Sequence, residues 1–193
     1  MSKNIIYLHG LGSKGDSLKS RELRNVFTPL GVNIIAPDLP IDPTHVRNLV
    51  DSIVKSIDDI QMLSFCGTSL GGFYASFFGE VYDAPYVIVN PALNPSKTFL
   101  PYVTNPPPDF SSGGVLTITE NDLKYFSVLE SRIAVPTGTL ANVFLAKDDK
   151  VIPYKAALEK FKYATSLTVT ETGGHRFESE WNLVVERLKQ IMC

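Results

Sequence analysis

The sequence is short of cysteine, of histidine and of any surplus of charge. Its two cysteines, Cys66 and Cys193, cannot make a disulfide framework in 193 residues and do not have the spacing of a metal site. Cys66 sits in an apolar run and reads as a small buried hydrophobe. The formal net charge is −2 with no cluster of Lys or Arg, which argues against binding nucleic acid by counterion release. No apolar run reaches membrane-spanning length, and the run within "MSKNIIYLHG" is too short for a signal-peptide core. The expectation is a cytoplasmic protein that engages neither membrane nor nucleic acid. Histidine is scarce enough to matter: any imidazole chemistry must use His9, His45 or His175.

What is present is an ordinary globular composition, 44% hydrophobic and 20% charged, which at this length suits one domain, residues 1–193, with a core of its own. Short apolar runs alternate with helical patterns, which predicts an α/β fold: a mostly parallel sheet of about six strands with helices on both faces. The strands are "NIIYL" (4–8), "NIIAP" (33–37), "QMLSFC" (61–66), "YVIVN" (86–90), "NVFLA" (142–146) and "SLTVT" (166–170). Between them run apolar stripes at helical spacing. One is Leu23, Val26, Phe27 and Leu30; another is Val46 to Ile57, opened by Asp42 as N-cap and Pro43 at the first helical position. A third starts after Pro153, and a last one runs Phe177, Trp181, Val184, Val185, Leu188 and Ile191. The connection 93–140 is far longer than a crossover requires. It holds loop chemistry, "NPPPDFSSGG", and then Thr119 and Asp122 spaced as a capping box. It reads as a crossover enlarged into a small cap, at about 93–135.

The densest signal is "SFCGTSLGGFY" (64–74), where Gly67, Gly71 and Gly72 surround Ser69 between an expected strand and an apolar helix. A strand-to-helix turn this tight strains its central residue and crowds the neighbours, so glycine leaves room where side chains would collide. That is the chemistry of a nucleophile elbow, G-x-S-x-G, which holds a serine hydroxyl clear of the sheet. A serine hydroxyl is a weak nucleophile and needs a base and an orienting acid. His45 starts an amphipathic helix and His9 ends the first strand. His175, in "ETGGHRF", follows the last strand and should hang over the same sheet edge as Ser69. Asp148 and Asp149 leave the fifth strand at that edge, and either could hold the His175 tautomer. The N–H of Leu70, at the start of the helix, and that of Leu11, in "LHGLGS", are candidate oxyanion donors.

"YLHGLGS", "GTSLGG", "DKVIPY" and "GGH" together resemble the α/β-hydrolase superfamily. The chain is more closely similar to the small bacterial YqiA-type esterases, the UPF0227 family, which likewise begin at the "LHG" strand without the superfamily's first two antiparallel strands. The resemblance covers essentially the whole chain. It implies Ser69 as nucleophile, Asp149 as acid, His175 as base, and the backbone amides of Leu11 and Leu70 as oxyanion hole. It also implies hydrolysis of a small carboxylic ester or thioester without metal or organic cofactor.

Two rivals stand beside this reading. "GLGSKG" puts Gly10, Gly12 and Gly15 in a G-x-G-x-x-G after a strand, with Asp38 beyond the second strand, the fingerprint of a dinucleotide-binding domain. Asp16 would face the pyrophosphate with the wrong charge, however, and Pro37 and Pro40 confine Asp38 to a rigid turn. The other rival keeps the hydrolase fold without catalysis, as a binding protein. Neither gives Ser69, Asp149 and His175 a shared purpose.

Overall fold

The computed structural model describes residues 3–59, 62–109, 112–133 and 138–193. Gln61, where the third expected strand begins, lies outside them, as do residues 110–111 and 134–135 of the expected cap. Six strands form one sheet: β1 (Lys3–Leu8), β2 (Val32–Ile35), β3 (Leu63–Thr68), β4 (Tyr86–Val89), β5 (Ala141–Ala146) and β6 (Ser166–Thr170). Their order is β2-β1-β3-β4-β5-β6 and every neighbouring pair is parallel. The chain works outward from β1 to one edge, then returns past β1 to build the other side. The carboxyl ends of β1 and β3 therefore flank the point where the winding reverses, the usual place for a ligand crevice in such sheets.

Period-two alternation sorts the strand side chains onto two faces. Ile5 and Tyr7 of β1 join Val87 and Phe144 under α1 (Leu18–Phe27) and α7 (Trp181–Met192), where Leu23, Phe27, Trp181, Val184 and Leu188 are buried. Ile6 and Leu8 join Phe65, Ile88 and Val143 on the opposite face, against α2 (Pro43–Lys55), α3 (Leu70–Tyr82), α5 (Glu120–Arg132) and α6 (Tyr154–Lys160). As its sequence implies, α3 is buried almost all round, with Phe73, Phe77 and Phe78 fully enclosed. Each such side chain contributes about 1.5–3 kcal/mol, ample to hold a strained residue at the helix start. Asp42 accepts from the Thr44 and His45 amides and caps α2, with Pro43 behind it as expected. Among the described residues no helix is long and apolar enough to cross a membrane.

Between β4 and β5 the chain forms the short helix α4 (Pro95–Thr98), a 3-10 turn at Leu100–Val103 and an antiparallel bridge from Pro108 to Val115, before α5. Thr119 and Asp122 make the expected reciprocal capping box. Within this segment the Glu130 carboxylate of α5 accepts from both Ser96 N–H and Ser96 Oγ of α4, each at 2.7 Å, and the Phe126 ring packs on Phe99. The same Phe126 ring fastens the segment to the main body by packing on Phe73 and Tyr74 of α3.

The C-terminal stripe needs one correction. Phe177 does not belong to α7, which begins at Trp181. It sits in a turn after Gly174 with φ +56°, its amide donating to the Gly174 carbonyl at 3.3 Å. The ring still turns inward and meets Phe144 edge-on at 6.1 Å. The apolar spacing was real, but its first member is buried by a turn rather than by a helix.

Candidate active site

The turn from β3 into α3 explains the glycines around Ser69. A Cβ on Gly67 would sit inside the backbone of Gly71, and a Cβ on Gly71 inside the carbonyl of Leu8 at the end of β1. No side chain fits at either position, so the helix can start where it does only with glycine there. Ser69 itself has φ +56° and ψ −120°, a conformation that costs an L residue about 1–3 kcal/mol. Three backbone bonds hold it: Ser69 N–H donates to Val89 O at 3.0 Å, and Ala92 and Phe73 N–H donate to Ser69 O at 3.0 and 3.1 Å. The elbow is thus tied to the end of β4 as well as to α3.

His175 and Asp149 arrive from the loops after β6 and β5. Ser69 Oγ lies 3.0 Å from His175 Nε2, and His175 Nδ1 lies 2.9 Å from Asp149 Oδ2. The Asp149 side chain is fully buried, whereas that of His175 is a quarter exposed. A carboxylate can only accept, so Nδ1 carries the proton and Nε2 is left to accept from the serine hydroxyl. Val151 and Ile152 amides donate to the other carboxylate oxygen at 2.8 and 2.9 Å, fixing the plane of the Asp149 group. Asp148 points elsewhere and accepts from Gly174 N–H at 2.8 Å. The two adjacent aspartates therefore hold the same loop by different handles, one by the imidazole and one by the backbone.

A further residue escaped the sequence reading. Asn90 follows β4 with φ +42° and is buried. Its amide nitrogen donates to the carbonyls of Gly174 and His175 at 2.9 and 3.2 Å, and its oxygen accepts from Ala146 N–H at 2.9 Å. One side chain thus joins the ends of β4 and β5 to the loop that carries His175. The sequence signal was the "VIVNPA" strand end, where Asn tolerates the left-handed backbone that other residues avoid.

Leu70 opens α3, so its N–H is one of the first-turn amides with no acceptor inside the helix. The loop after β1 runs beside the serine: a Cβ on Gly10 would lie 3.4 Å from Ser69 Cβ. Leu11, next along, lines two hollows. One is a groove of about 470 Å³ that also includes Ser69, His175, Lys19 and Arg176. The other is a cavity of about 80 Å³ that reaches Leu70 and Tyr74.

The other sequence candidates serve the loops. Asp38 Oδ1 accepts from Gly15 N–H at 2.6 Å, and a Cβ on Gly15 would strike the Ala36 and Pro37 backbone. One oxygen of the acid of the dinucleotide pattern is thereby turned onto the pattern's own third glycine. His9 donates from Nδ1 to Gly10 O and accepts the Leu39 N–H at Nε2, both at 2.9 Å, so it ties the two loops together. Burial pushes its pKa down from the ordinary histidine value. His45 stands exposed on α2. Cys66 is buried and its thiol is pushed far up by burial, which fits an inert core residue. Among the described residues no group of three or more His, Cys, Asp and Glu side chains is placed to hold a metal ion.

The parallel sheet, the elbow at its carboxyl edge and the loops that meet there define an α/β-hydrolase fold. The chain belongs to UPF0227, an uncharacterised protein family whose model matches residues 4–192. A UPF0227 protein of Pectobacterium atrosepticum is 33% identical over 105 residues, covering 53% of this chain and 58% of that protein. The chain thus spans little more than half the length of this curated relative. Among solved structures, mouse alpha/beta hydrolase domain-containing protein 10 superposes with a TM-score of 0.75 at 15% identity, covering 100% of this chain and 90% of that one. A monoacylglycerol lipase from Paleococcus ferrophilus gives 0.71 at 17% identity, with 97% and 94% covered.

Proposed function

We propose that the protein is a serine hydrolase that cleaves small carboxylic esters or thioesters. The observation that carries the reading is the unbroken relay from Asp149 through His175 to Ser69, with 2.9 and 3.0 Å steps. As Ser69 Oγ attacks the acyl carbon, its proton passes to His175 Nε2, and the imidazolium is stabilised by the buried Asp149 carboxylate. The carbonyl oxygen becomes an oxyanion, which the Leu11 and Leu70 amides would receive; one such donor is worth about 3–4 kcal/mol of barrier. Collapse of the tetrahedral intermediate expels the alkoxide or thiolate, which takes the proton from Nε2. Water then adds to the acyl-enzyme with His175 as base, and the acid departs as Ser69 regains its proton.

Esters and thioesters lose their leaving groups far more readily than amides, so a site with only a small cap over it suits them better than peptides. A lipase among the structural neighbours is in keeping with ester chemistry on this fold. Two free cysteines, one buried and one exposed, fit a reducing compartment, and the proposal places the enzyme in the cytoplasm.

The test is a panel of p-nitrophenyl esters and acyl thioesters of graded chain length, run alongside a fluorophosphonate probe. The wild-type protein should turn over at least one series and label once, at Ser69. Ser69→Ala should abolish both while melting as the wild type does, because it deletes one hydroxyl from a turn held by backbone bonds. Residual turnover above about a tenth of wild type would assign the nucleophile elsewhere, since removing a true serine nucleophile costs about 10⁶-fold. A folded wild-type protein that neither labels nor turns over would favour a binding role for the same fold.

A further inference from the structure

The groove that holds Ser69 and His175 is cationic, in a chain whose formal net charge is −2. Lys14, Lys19, Arg21 and Arg176 line it against two carboxylates, Asp16 and Glu178. Both carboxylates are already engaged. Asp16 takes the Arg21 guanidinium on its two oxygens, at 2.9 and 2.6 Å, with Arg24 at 3.5 Å, and Glu178 faces Arg176 at 3.7 Å. Lys14 and Lys19 are left over: neither ammonium has an ion-pair or hydrogen-bond partner among the described residues.

Lys19 is the better placed of the two. It is half-buried on α1, with its ammonium 5.3 Å from the centroid of the Trp181 ring. Packing on the indole holds the charge in place, so little side-chain freedom remains to be lost when a ligand binds. The ammonium is not sealed from solvent as the orphan Trp181 Nε1 is. Burial holds its pKa below the ordinary lysine value, with Glu178 pulling back more weakly and Arg176 pushing the same way as burial. This is a half-buried charge without full compensation, and an anion within its reach would supply it.

Arg176 and Glu178 follow His175 closely in the chain, and their charges act on Lys19, so the ammonium stands on the His175 side of the groove. That is the side of the departing group, because the leaving oxygen or sulfur takes its proton from His175 Nε2. Building on the hydrolase reading, we propose that the leaving group carries a carboxylate or phosphate, which Lys19 binds. Lys14 adds to the positive field that draws such a substrate into the groove. A cationic leaving group is disfavoured, because both groove carboxylates are engaged while Lys19 is not. Lys19 is then the residue that selects the alcohol or thiol half of the substrate by its charge.

The experiment compares butanoate esters of phenols that carry a carboxylate, a phosphonomethyl group or a carboxamide at the meta position, each rate divided by that of hydroxide-catalysed hydrolysis. At least one anionic ester should be favoured over the carboxamide in kcat/KM by about tenfold, the scale of one charged hydrogen bond at a half-buried site. The better of the two anions tells carboxylate from phosphate, and the preference should shrink at high salt. Lys19→Met, which keeps an unbranched stem for Trp181, should bring the ratio close to one, and Lys19→Arg should restore most of it. A second pair, p-nitrophenyl hydrogen adipate against p-nitrophenyl hexanoate, moves the anion to the acyl arm. Equal rates for the anionic and neutral phenyl esters in the wild type would overturn the proposal while leaving the hydrolase reading intact. So would a preference confined to the adipate pair, or one that survives Lys19→Met. Turnover of none of these esters, with no covalent labelling of Ser69 by the fluorophosphonate, would remove the hydrolase reading and this inference with it.

Discussion

Asp149 Oδ2 lies 2.9 Å from His175 Nδ1, while Asp149 Oδ1 is claimed by the amides of Val151 and Ile152. The second half of that relationship decides what an isosteric substitution does. In Asp149→Asn the two backbone donors would hold the amide oxygen where Oδ1 now sits. The NH₂ group would then face Nδ1 and force the imidazole proton onto Nε2, where it blocks transfer from Ser69. The fold should persist and kcat should fall by up to about 10⁴-fold. Asp148→Asn keeps an oxygen for Gly174 N–H and should cost less than about tenfold, since one hydrogen bond of that kind is worth only 0.5–1.5 kcal/mol. Steady-state kinetics on the two variants separates the aspartates; a crippled Asp148→Asn beside a mild Asp149→Asn would reverse their roles.

Asn90 offers a test of how the His175 loop is positioned. Asn90→Asp keeps the oxygen that accepts from Ala146 but replaces the two donors to Gly174 O and His175 O with a repelling carboxylate. The loop should shift and the imidazole with it. A displacement on the order of 1 Å can cost about 100-fold in rate, so kcat should fall well before KM changes. A variant that merely lost stability would show a lower melting temperature with normal kcat per folded molecule.

The elbow, all six strands and the cap of α5 were legible because each rests on local chemistry: glycine spacing, apolar runs, a Thr-x-x-Asp box. The resemblance implied Asp149 over Asp148; the structure brings the Asp149 carboxylate to the imidazole and turns Asp148 to the Gly174 amide. What stayed hidden was tertiary. Asn90 looks like a strand end until β5 and the His175 loop are brought beside it, and Asp38 looks like a ribose ligand until the first loop folds back to put Gly15 against it. Phe177 shows the converse. Its apolar spacing was indistinguishable from a helix position, because a buried turn can satisfy the same face.

Gly71 should tolerate nothing larger. A Cβ there meets the backbone carbonyls of Leu8 and His9, which have no side-chain freedom with which to yield. Gly71→Val should therefore cost at least the upper end of ordinary overpacking, about 3 kcal/mol. For a chain of this size that lowers the melting temperature by roughly 6–12 °C or prevents folding outright. Thermal unfolding by circular dichroism measures it, and an unchanged midpoint would mean that α3 can start without pressing on β1.

His9 predicts how stability changes with pH. Its Nε2 accepts the Leu39 N–H and its Nδ1 proton goes to Gly10 O, so a second proton would set donor against donor inside a buried site. Burial lowers its pKa, with the Gly10 carbonyl and the Asp38 charge acting weakly the other way. The unfolded chain, with an ordinary histidine near 6.5, then binds the proton more readily than the folded one. The stabilisation is whole above that value and is lost as the pH falls toward the lowered folded pKa. One proton can contribute a slope of at most about 1.4 kcal/mol per pH unit. Between pH 7 and 5 the wild-type melting temperature should therefore drop more steeply than that of His9→Gln, whose amide can bridge the same two loops without titrating. The acid limb should also be where Leu39 loosens, and with it the wall of the cavity beside Leu70. Parallel melting curves for the two proteins across that range would show that His9 titrates alike in both states, and that the tie to Leu39 contributes nothing to holding it neutral.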